Sequence, residues 1–510
     1  ILNIYNNRTL MKFLIIIILV IGDVFVINCQ NFMKTFSFTD TVDERGASII
    51  RYGDSYYGSI GTFYNGNQCA LYAKFNNKFE LVWSKLVPWM DRGNFNDLLV
   101  LGDTLVCSGF DAWSENTRKF HLLLLNTDNG DSISHFSKDY TNKIKRNFAC
   151  NGIVKFKNDL VIYGEGIMED DTVSGIIQFV DLKGIFKTFR EYRYPRNYLN
   201  SIFDLHSLNN HMAFISYRDN RPFETGGYRL ITKIDSTGEI IDRFLGPKYA
   251  RTNVNIQNNF TITHSKNYAY MNVSSEYNFE PKLVCSDTLG KIIWEYNFKV
   301  DPSKEEILIY DLIPAQFGGI LGCGIINSNV KTYDSAIIFK ISENGTLDFL
   351  KKYNIINNLN NAIESTNLFN LIELQDGSIT AIGDVRYSNG ILDDVFIINV
   401  NSMGCLNQNT CDESNLQLIS SSDYFNYFPF SSEITVYPNP TNGNINLSFH
   451  VGGIYQYVIS DLNGDIITVG EVNSESNSDI SLANYPSGIY HIKLTKKNST
   501  LVLKANIIKL

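Results

Sequence analysis

The chain of 510 residues carries no surplus of positive charge: 44 Lys and Arg stand against 53 Asp and Glu, a formal net charge of -9. Phosphate backbones are held by clustered basic side chains, so nucleic acid is not an expected partner. Proline is scarce, at 11 residues, while aromatic side chains reach 13%; that pairing fits a folded, β-rich chain. No CxxC pair or Cys/His spacing of the kind zinc needs occurs, and there is no GxSxG elbow, HExxH helix or P-loop. No metal or cofactor is expected, and no known catalytic motif announces an enzyme. The length still exceeds one ordinary core and predicts two or more domains.

No apolar run is long enough to cross a bilayer. The longest, Phe13 to Ile21, follows Lys12 and gives way to Asp23 and small or polar residues, the layout of an export signal over residues 11–30. A lipid anchor on Cys29 is disfavoured by Asn28 at the preceding position. Residues 1–10 precede the first Met and read as upstream frame. The mature chain is expected to have no transmembrane anchor.

Export places the remaining seven cysteines in an oxidising compartment. Most stand alone in apolar segments such as DTLVCSGF and PKLVCSD, where a thiol behaves as a small buried hydrophobe. Cys405 and Cys411, in GCLNQNTCD, are close enough to close a small disulfide loop.

Between residues 47 and 404 one two-part pattern recurs. An apolar run, a polar turn and a second apolar run come first, as in FNDLLVLGDTLVCSGF and YDLIPAQFGGILGCG; a second hairpin follows a variable loop, as in GIIQFVDLKGIFKTF and AIIFKISENGTLDFL. Alternating apolar positions indicate strands, and the Asp/Asn/Ser-x-Gly turns supply the positive φ of tight hairpins. The second turns fall at Asn77, Gly130, Gly184, Gly238, Gly290, Gly345 and Gly404, with steps of 52 to 59 residues. Seven copies of a four-stranded unit predict an all-β fold, a seven-bladed β-propeller over residues 31–406. The last copy lacks an aromatic fourth strand, whereas NFMKTFSFTD, Asn31 to Asp40, is such a strand without a hairpin before it. The N-terminal segment is therefore expected to close the ring as the outer strand of the seventh blade, leaving no exposed edge. The layout resembles kelch-type and quinoprotein-like propellers in architecture, without the kelch Gly-Gly pair, and implies no activity.

The chain restarts after a polar, Ser-rich linker, residues 407–432. YPNPTNG at Tyr437–Gly443, SDLNGDII at Ser460–Ile467 and YPSGIYHIKL at Tyr485–Leu494 follow in order, and the tail ends in KANIIKL. These read as a small C-terminal β-sandwich of Ig-like type over residues 433–510: prolines entering a strand, an Asn-Gly hairpin and a Ser-Gly turn. They resemble the type A C-terminal sorting domain of the type IX secretion system of Bacteroidetes. The resemblance implies that Pro438, Asn439, Pro440, Gly443, Asn463, Gly464, Gly488 and Tyr490 carry the sorting motif. It also implies that the partner is the outer-membrane translocon, and that the chain is secreted or displayed on the cell surface via the periplasm.

The cargo's own chemistry is weakly marked. His121, His135, His206, His211 and His264 scatter over the repeats and read as exposed turn and strand residues. NTDNGDS at Asn126–Ser132 departs from a calcium loop and is explained by a hairpin turn. The long loops between second and third strands and between blades share one face. They bring Trp89, Trp113, Tyr194, Tyr198 and Tyr217 among Asp91, Asp111, Glu169, Asp170, Arg196, Arg218 and Arg221. Mixed aromatic and charged loops on a rigid scaffold make a binding face, with Trp89, Asp111, Trp113 and Arg218 as candidate contacts for a glycan or protein ligand. An extracellular hydrolase or lyase, and a structural surface protein, are the competing readings.

Overall fold

The computed structural model describes residues 32–38, 44–64, 67–87, 97–111, 118–170, 172–193, 202, 204–208, 210–219, 227–249, 260–273, 281–299, 305–328, 334–353, 355–356, 363–387, 393–406, 416–417, 419–420, 434–437, 443–449, 454–461, 466–473, 479–497 and 502–509. Among them there are strands and turns and no helix. Lys85–Val87 excepted, the chain divides into a large compact unit up to Asp423 and a small one from Tyr424 to Leu510.

The large unit is a β-propeller. Six sheets each take four strands in chain order, and their first strands are Glu44–Tyr52, Asp97–Leu101, Ile144–Phe156, Asp204–Ser207, Phe260–Ile262 and Glu305–Pro314. A seventh begins with Ile363–Glu373 and has Phe32–Phe36 as its fourth strand. We number these sheets as blades 1 to 7. Their first strands neighbour one another in the order 1 to 7, and the seventh neighbours the first. Alternation in each strand sends apolar side chains to both faces, so the cores lie between blades: Phe120 and Val106 of blade 2 cluster with Phe148 and Ile162 of blade 3, and Leu283 of blade 5 with Ile309 and Phe339 of blade 6.

The hairpin between third and fourth strands repeats one design. In blade 6 the N–H of Gly345 bonds the carbonyl of Ser342 at 3.0 Å, and in blade 7 the N–H of Gly404 bonds that of Asn401 at 2.9 Å. Both glycines have positive φ, 83° and 74°. Each is also roofed by the previous blade: an added Cβ would lie 2.8 Å from Trp294 at Gly345 and 2.7 Å from Phe349 at Gly404. The fourth-strand aromatic of one blade thus fits onto the turn of the next, and only glycine supplies both the backbone angle and the space. The same strands hydrogen-bond the turn, Trp294 Nε1 to Glu343 O at 2.9 Å and Tyr353 OH to Gly404 O at 2.7 Å.

Blade 1 turns at Asn77 and Lys78, as expected, but without a glycine. The residue with positive φ is Phe79, at 54°, and Asn76 Oδ1 accepts the N–H groups of Lys78 and Glu80, both at 2.9 Å. Here the asparagine side chain organises the turn and a buried aromatic occupies the glycine position. That aromatic faces the closing strand: the rings of Phe32 and Phe79 are 4.5 Å apart. Phe32–Phe36 pairs antiparallel with Asp394–Val400, Phe32 opposite Asn399 and Phe36 opposite Val395, as the closure argument expects. The seam between the last blade and the first therefore uses the same aromatic-on-turn contact as the other seams.

The linker adds an element the sequence did not suggest. Ile419–Ser420 lies parallel to the outer side of Phe32–Phe36, Lys34 opposite Ile419, and Leu416–Gln417 pairs with Ile355–Ile356. Part of this Ser-rich stretch covers an edge that would otherwise present unpaired N–H and C=O groups. Cys405 is buried and disulfide-bonded; its expected partner Cys411 lies outside the described residues. Cys69, Cys107, Cys150, Cys285 and Cys323 are buried and form no disulfide, in keeping with their apolar strand settings.

In the small unit, a sheet of three strands and one of four enclose a single core. Ile445, Leu447 and Ile480 come from the first sheet, and Tyr455, Ile459, Val472, Ile492, Leu494 and Ile507 from the second.

Candidate functional site

Four of the first strands carry a β-bulge at an equivalent place. The residues left out of the ladder are Ala47 in blade 1, Asn151 in blade 3, Tyr310 in blade 6 and Phe369 in blade 7. A bulge re-aims the extra side chain, and in two adjacent blades that side chain is aromatic. The rings of Tyr310 and Phe369 meet with centroids 5.1 Å apart, and both remain partly exposed while Ile309, Asp311 and Leu368 beside them are buried.

The polar residue next to the bulge reaches the following blade. Asp311 Oδ2 accepts the N–H of Leu371 at 3.0 Å and Asn370 Nδ2 at 2.8 Å; Asn370 Oδ1 in turn accepts the N–H of Ile49 at 2.9 Å. Ser48 donates to Asp97 Oδ1 at 3.3 Å, and Asp97 Oδ2 accepts the N–H of Ile153 at 3.1 Å. Asn151 Nδ2 donates to Ile202 O at 2.7 Å. A belt of side-chain bonds thus hands the inner strands from blade to blade.

Burial dominates the electrostatics of this belt. It raises Asp97 to about 6 and Asp311 to about 7, with a smaller contribution from the charge of Asp204; backbone N–H donors offset only part of the effect. His206 Nε2 lies 3.0 Å from Asp204 Oδ2 and 2.9 Å from Phe260 O, so this nitrogen bears the proton. Burial, the largest single influence, lowers the pKa of His206; the Asp204 carboxylate, the Phe260 carbonyl and the charge of Asp311 together outweigh it, and the net direction is upward. This histidine is a strand residue, as expected, with its side chain 30% exposed. His121, expected to be exposed, is instead buried, with Nδ1 2.9 Å from Nε2 of His135, and burial lowers its pKa to about 3. Among the described residues no cluster of His, Cys, Asp and Glu is arranged to hold a metal. Asn126 Oδ1 accepts the N–H of Asp128 at 2.8 Å, so NTDNGDS folds on itself as a turn.

Beside the aromatic pair, the seam of blades 7 and 1 holds a charged group. Arg45 Nη2 is 3.3 Å from Asp393 Oδ2, Arg45 Nε is 3.6 Å from Asp384 Oδ2, and Arg386 Nε is 3.6 Å from Asp393 Oδ2. The arginine side chains are 53% and 41% exposed and the aspartates are buried. Asn367 Nδ2 bonds Asp384 Oδ1 at 2.5 Å, while Asp384 Oδ2 is buried without a hydrogen-bond donor. Burial raises Asp384 to about 6 despite Asn367 and Arg45. Burial also raises Tyr310 to about 12, and the charges of Asp384 and Glu306 add to it.

Of the loop candidates, Trp89 and Trp113 lie outside the described residues, as do Asp91, Tyr194, Tyr198, Arg196 and Arg221. Asp111 ends the second strand of blade 2 opposite Lys119, and Arg218 stands opposite Tyr228 in blade 4, with blade 3 between them. Asp170 is occupied locally, bonded to Thr172 and paired with Arg193 Nη1 at 2.6 Å. The axial residues were missed, yet the repeat marks them: Phe203-Asp204-Leu205, Tyr310-Asp311-Leu312 and Phe369-Asn370-Leu371 recur as aromatic, Asp or Asn, Leu, and Asn96-Asp97-Leu98 keeps the acid.

In the small unit, Gly443 has a φ of 149° and its carbonyl accepts the N–H of Leu482. Tyr490 OH donates to Pro486 O at 2.6 Å. Lys509, nearly buried, donates to Ala483 O at 3.1 Å and to Tyr485 O, so the last strand clasps the YPSG turn. Gly488 opens the strand that pairs with this last one. Pro438, Asn439, Pro440, Asn463 and Gly464 lie outside the described residues.

Residues 435–509 match the family of secretion system C-terminal sorting domains. No curated protein matches the chain. Among solved structures, the β-propeller domain of the Trilobed protease from Pyrococcus furiosus is similar, with 10% identity and a TM-score of 0.39 over 73% of this chain and 100% of that one. Polysaccharide lyase Uly1 gives 10% identity and a TM-score of 0.42 over 70% of this chain and 90% of that one. PorZ, a surface component of the type-IX secretion system of Porphyromonas gingivalis, gives 10% identity and a TM-score of 0.24 over 93% of this chain and 100% of that one. The tail directs the chain through type IX secretion to the cell surface or the medium. Among the described residues no helix is long and apolar enough to cross a membrane.

Proposed function

We propose that this chain is cargo of the type IX secretion system: a signal at residues 11–30, a seven-bladed propeller at residues 31–406, a connection at residues 407–432 and a sandwich-type sorting domain at residues 433–510. The match of residues 435–509 to the sorting family carries this reading. The propeller is its working part, and it binds an external glycan or protein through the face that bears the loops between second and third strands and between blades. Support comes from the scaffold: blades interlocked by aromatic-on-turn contacts and by the axial belt hold such loops at fixed spacing. Cys405 fits a short disulfide loop with Cys411, and Trp89, Asp111, Trp113 and Arg218 remain the loop contacts we nominate.

A screen of the purified chain against polysaccharides, scoring retention and new reducing ends together, tests this. Retention without new ends supports a binding protein. New ends assign a hydrolase or lyase, and inertness towards every polysaccharide together with failure to retain any surface protein leaves a structural role.

A further inference from the structure

We propose that residues 416–420 are a latch belonging to the propeller: they hold the closing strand Phe32–Phe36 in blade 7, and the working end of the propeller is Ser420. This goes beyond the export and binding readings above, in which residues 407–432 are only a connection.

The closing strand needs such a partner. In blades 1 to 6 the fourth strand continues from the third through a tight turn, as at Ser342 to Gly345, so it cannot leave without undoing that turn. Phe32–Phe36 has only five residues, enters from the far end of the chain and belongs to blade 7 through pairing alone. Its surroundings differ accordingly. Met33, Thr35 and Phe36 are buried and no residue of the strand is exposed, whereas Ser132–Asp139 of blade 2 and Ile292–Asn297 of blade 5, also fourth strands, contain no buried residue. An outer strand as buried as this one is covered on its outer side.

Two pairings by one short stretch supply the cover. Ile419 and Ser420 run parallel to Lys34 and Thr35 on the side away from Asp394–Val400, which makes the closing strand an interior strand of a five-stranded sheet. Leu416 and Gln417 pair with Ile355 and Ile356, just past the outer strand of blade 6, Leu347–Tyr353. The stretch therefore ties blade 6 to blade 7, across the seam where Met33 shares a core with Tyr353 and Phe396. Among the described residues of the propeller no other fourth strand has a strand beyond it. The compact unit that holds the propeller also runs past this stretch, to Asp423. Separation of the sorting tail that spares Ser420 thus leaves the ring latched, whereas loss of residues 416–420 bares a row of unpaired N–H and C=O groups on the one blade built from both ends of the propeller.

Hydrogen exchange of the full chain, read by mass spectrometry on fragments from residues 31–40, tests the latch. Ile419→Pro removes a backbone donor and disfavours the pairing, so exchange within Phe32–Phe36 should quicken about tenfold. Ile419→Val should leave it slow, and Ile292–Asn297 of blade 5 should exchange as in the wild type in both variants. Unchanged exchange of Phe32–Phe36 in Ile419→Pro overturns the latch, and so does equal quickening in blade 5, which would mean general loosening. Limited proteolysis of the unmutated chain decides the matter if Ile419→Pro fails to fold. The surviving propeller fragment should retain Ser420, as its intact mass reports; a fragment that ends before Leu416 and melts like the propeller of the full chain overturns the proposal. Neither readout involves export or a ligand, so failure here leaves those readings standing.

Discussion

The indole of Trp294 lies directly over Gly345, one blade's outer strand closing on the turn of the next. With a φ of 83°, and with an added Cβ only 2.8 Å from the nearest ring atom, the position excludes a side chain on two independent grounds. Gly345→Ala should destabilise the propeller by about 1–3 kcal/mol, from the left-handed backbone and the displaced indole together. Thermal melting checks this. An unchanged melting temperature would show that the contact between blades is loose.

Ring closure rests on Phe32–Phe36. Met33 and Phe36 are buried, and Phe36 meets Phe75 of blade 1 with ring centroids 5.0 Å apart. Phe36→Ala should cost about 3–5 kcal/mol. Removal of residues 31–40 should produce aggregation, because it strips the seventh blade to three strands with a bare edge. A soluble, cooperatively melting deletion variant would show that this strand does not hold the ring.

The axial acids make stability depend on pH in a definite direction. Asp97 and Asp311 titrate near 6 and 7 in the fold, above the ordinary value of 3.8. Below about pH 4 both folded and unfolded chains keep these protons, and the acids contribute nothing. As pH rises from about 4 to 7 the unfolded chain ionises first, so stability is lost, on the order of 3 kcal/mol per acid once both states are ionised. His121 and His135, lowered by burial, act in the opposite sense as pH falls below about 6.5. The comparison with a variant is therefore decisive: Asp311→Asn keeps an acceptor for Leu371 and removes the charge. It should raise the melting temperature relative to the wild type at pH 8 and change it little at pH 4. An equal offset at both pH values would contradict this account.

The parts of the fold legible in the sequence are those that repeat or obey a local rule. Asp/Asn/Ser-x-Gly turns are visible because positive φ has few sequence solutions, and strand Phe32–Phe36 is visible because the seventh copy lacks its aromatic strand. The turn at Asn77 was legible, but not the positive φ of Phe79, because the side chain of Asn76 organises a turn that has no glycine. Histidine environments were not legible: nothing local tells His206 that Asp204 and a carbonyl of the next blade will flank it. The polar belt and the Tyr310–Phe369 pair were hidden for the same reason, since a bulge in one strand gains its meaning only beside a bulge in the next. The sorting tail was legible because its motifs lie in order within one short segment, whereas the loops proposed to bind a ligand come from separate blades.

The central claim is that residues 433–510 are an address and that the propeller folds without them. The most direct measurement is the location of the chain lacking residues 433–510, expressed in a bacterium with a working type IX system and followed by fractionation and protease resistance. The account predicts a folded, protease-resistant propeller retained in the periplasm and absent from the surface and the medium. The truncated chain outside the cell in normal amount would contradict it.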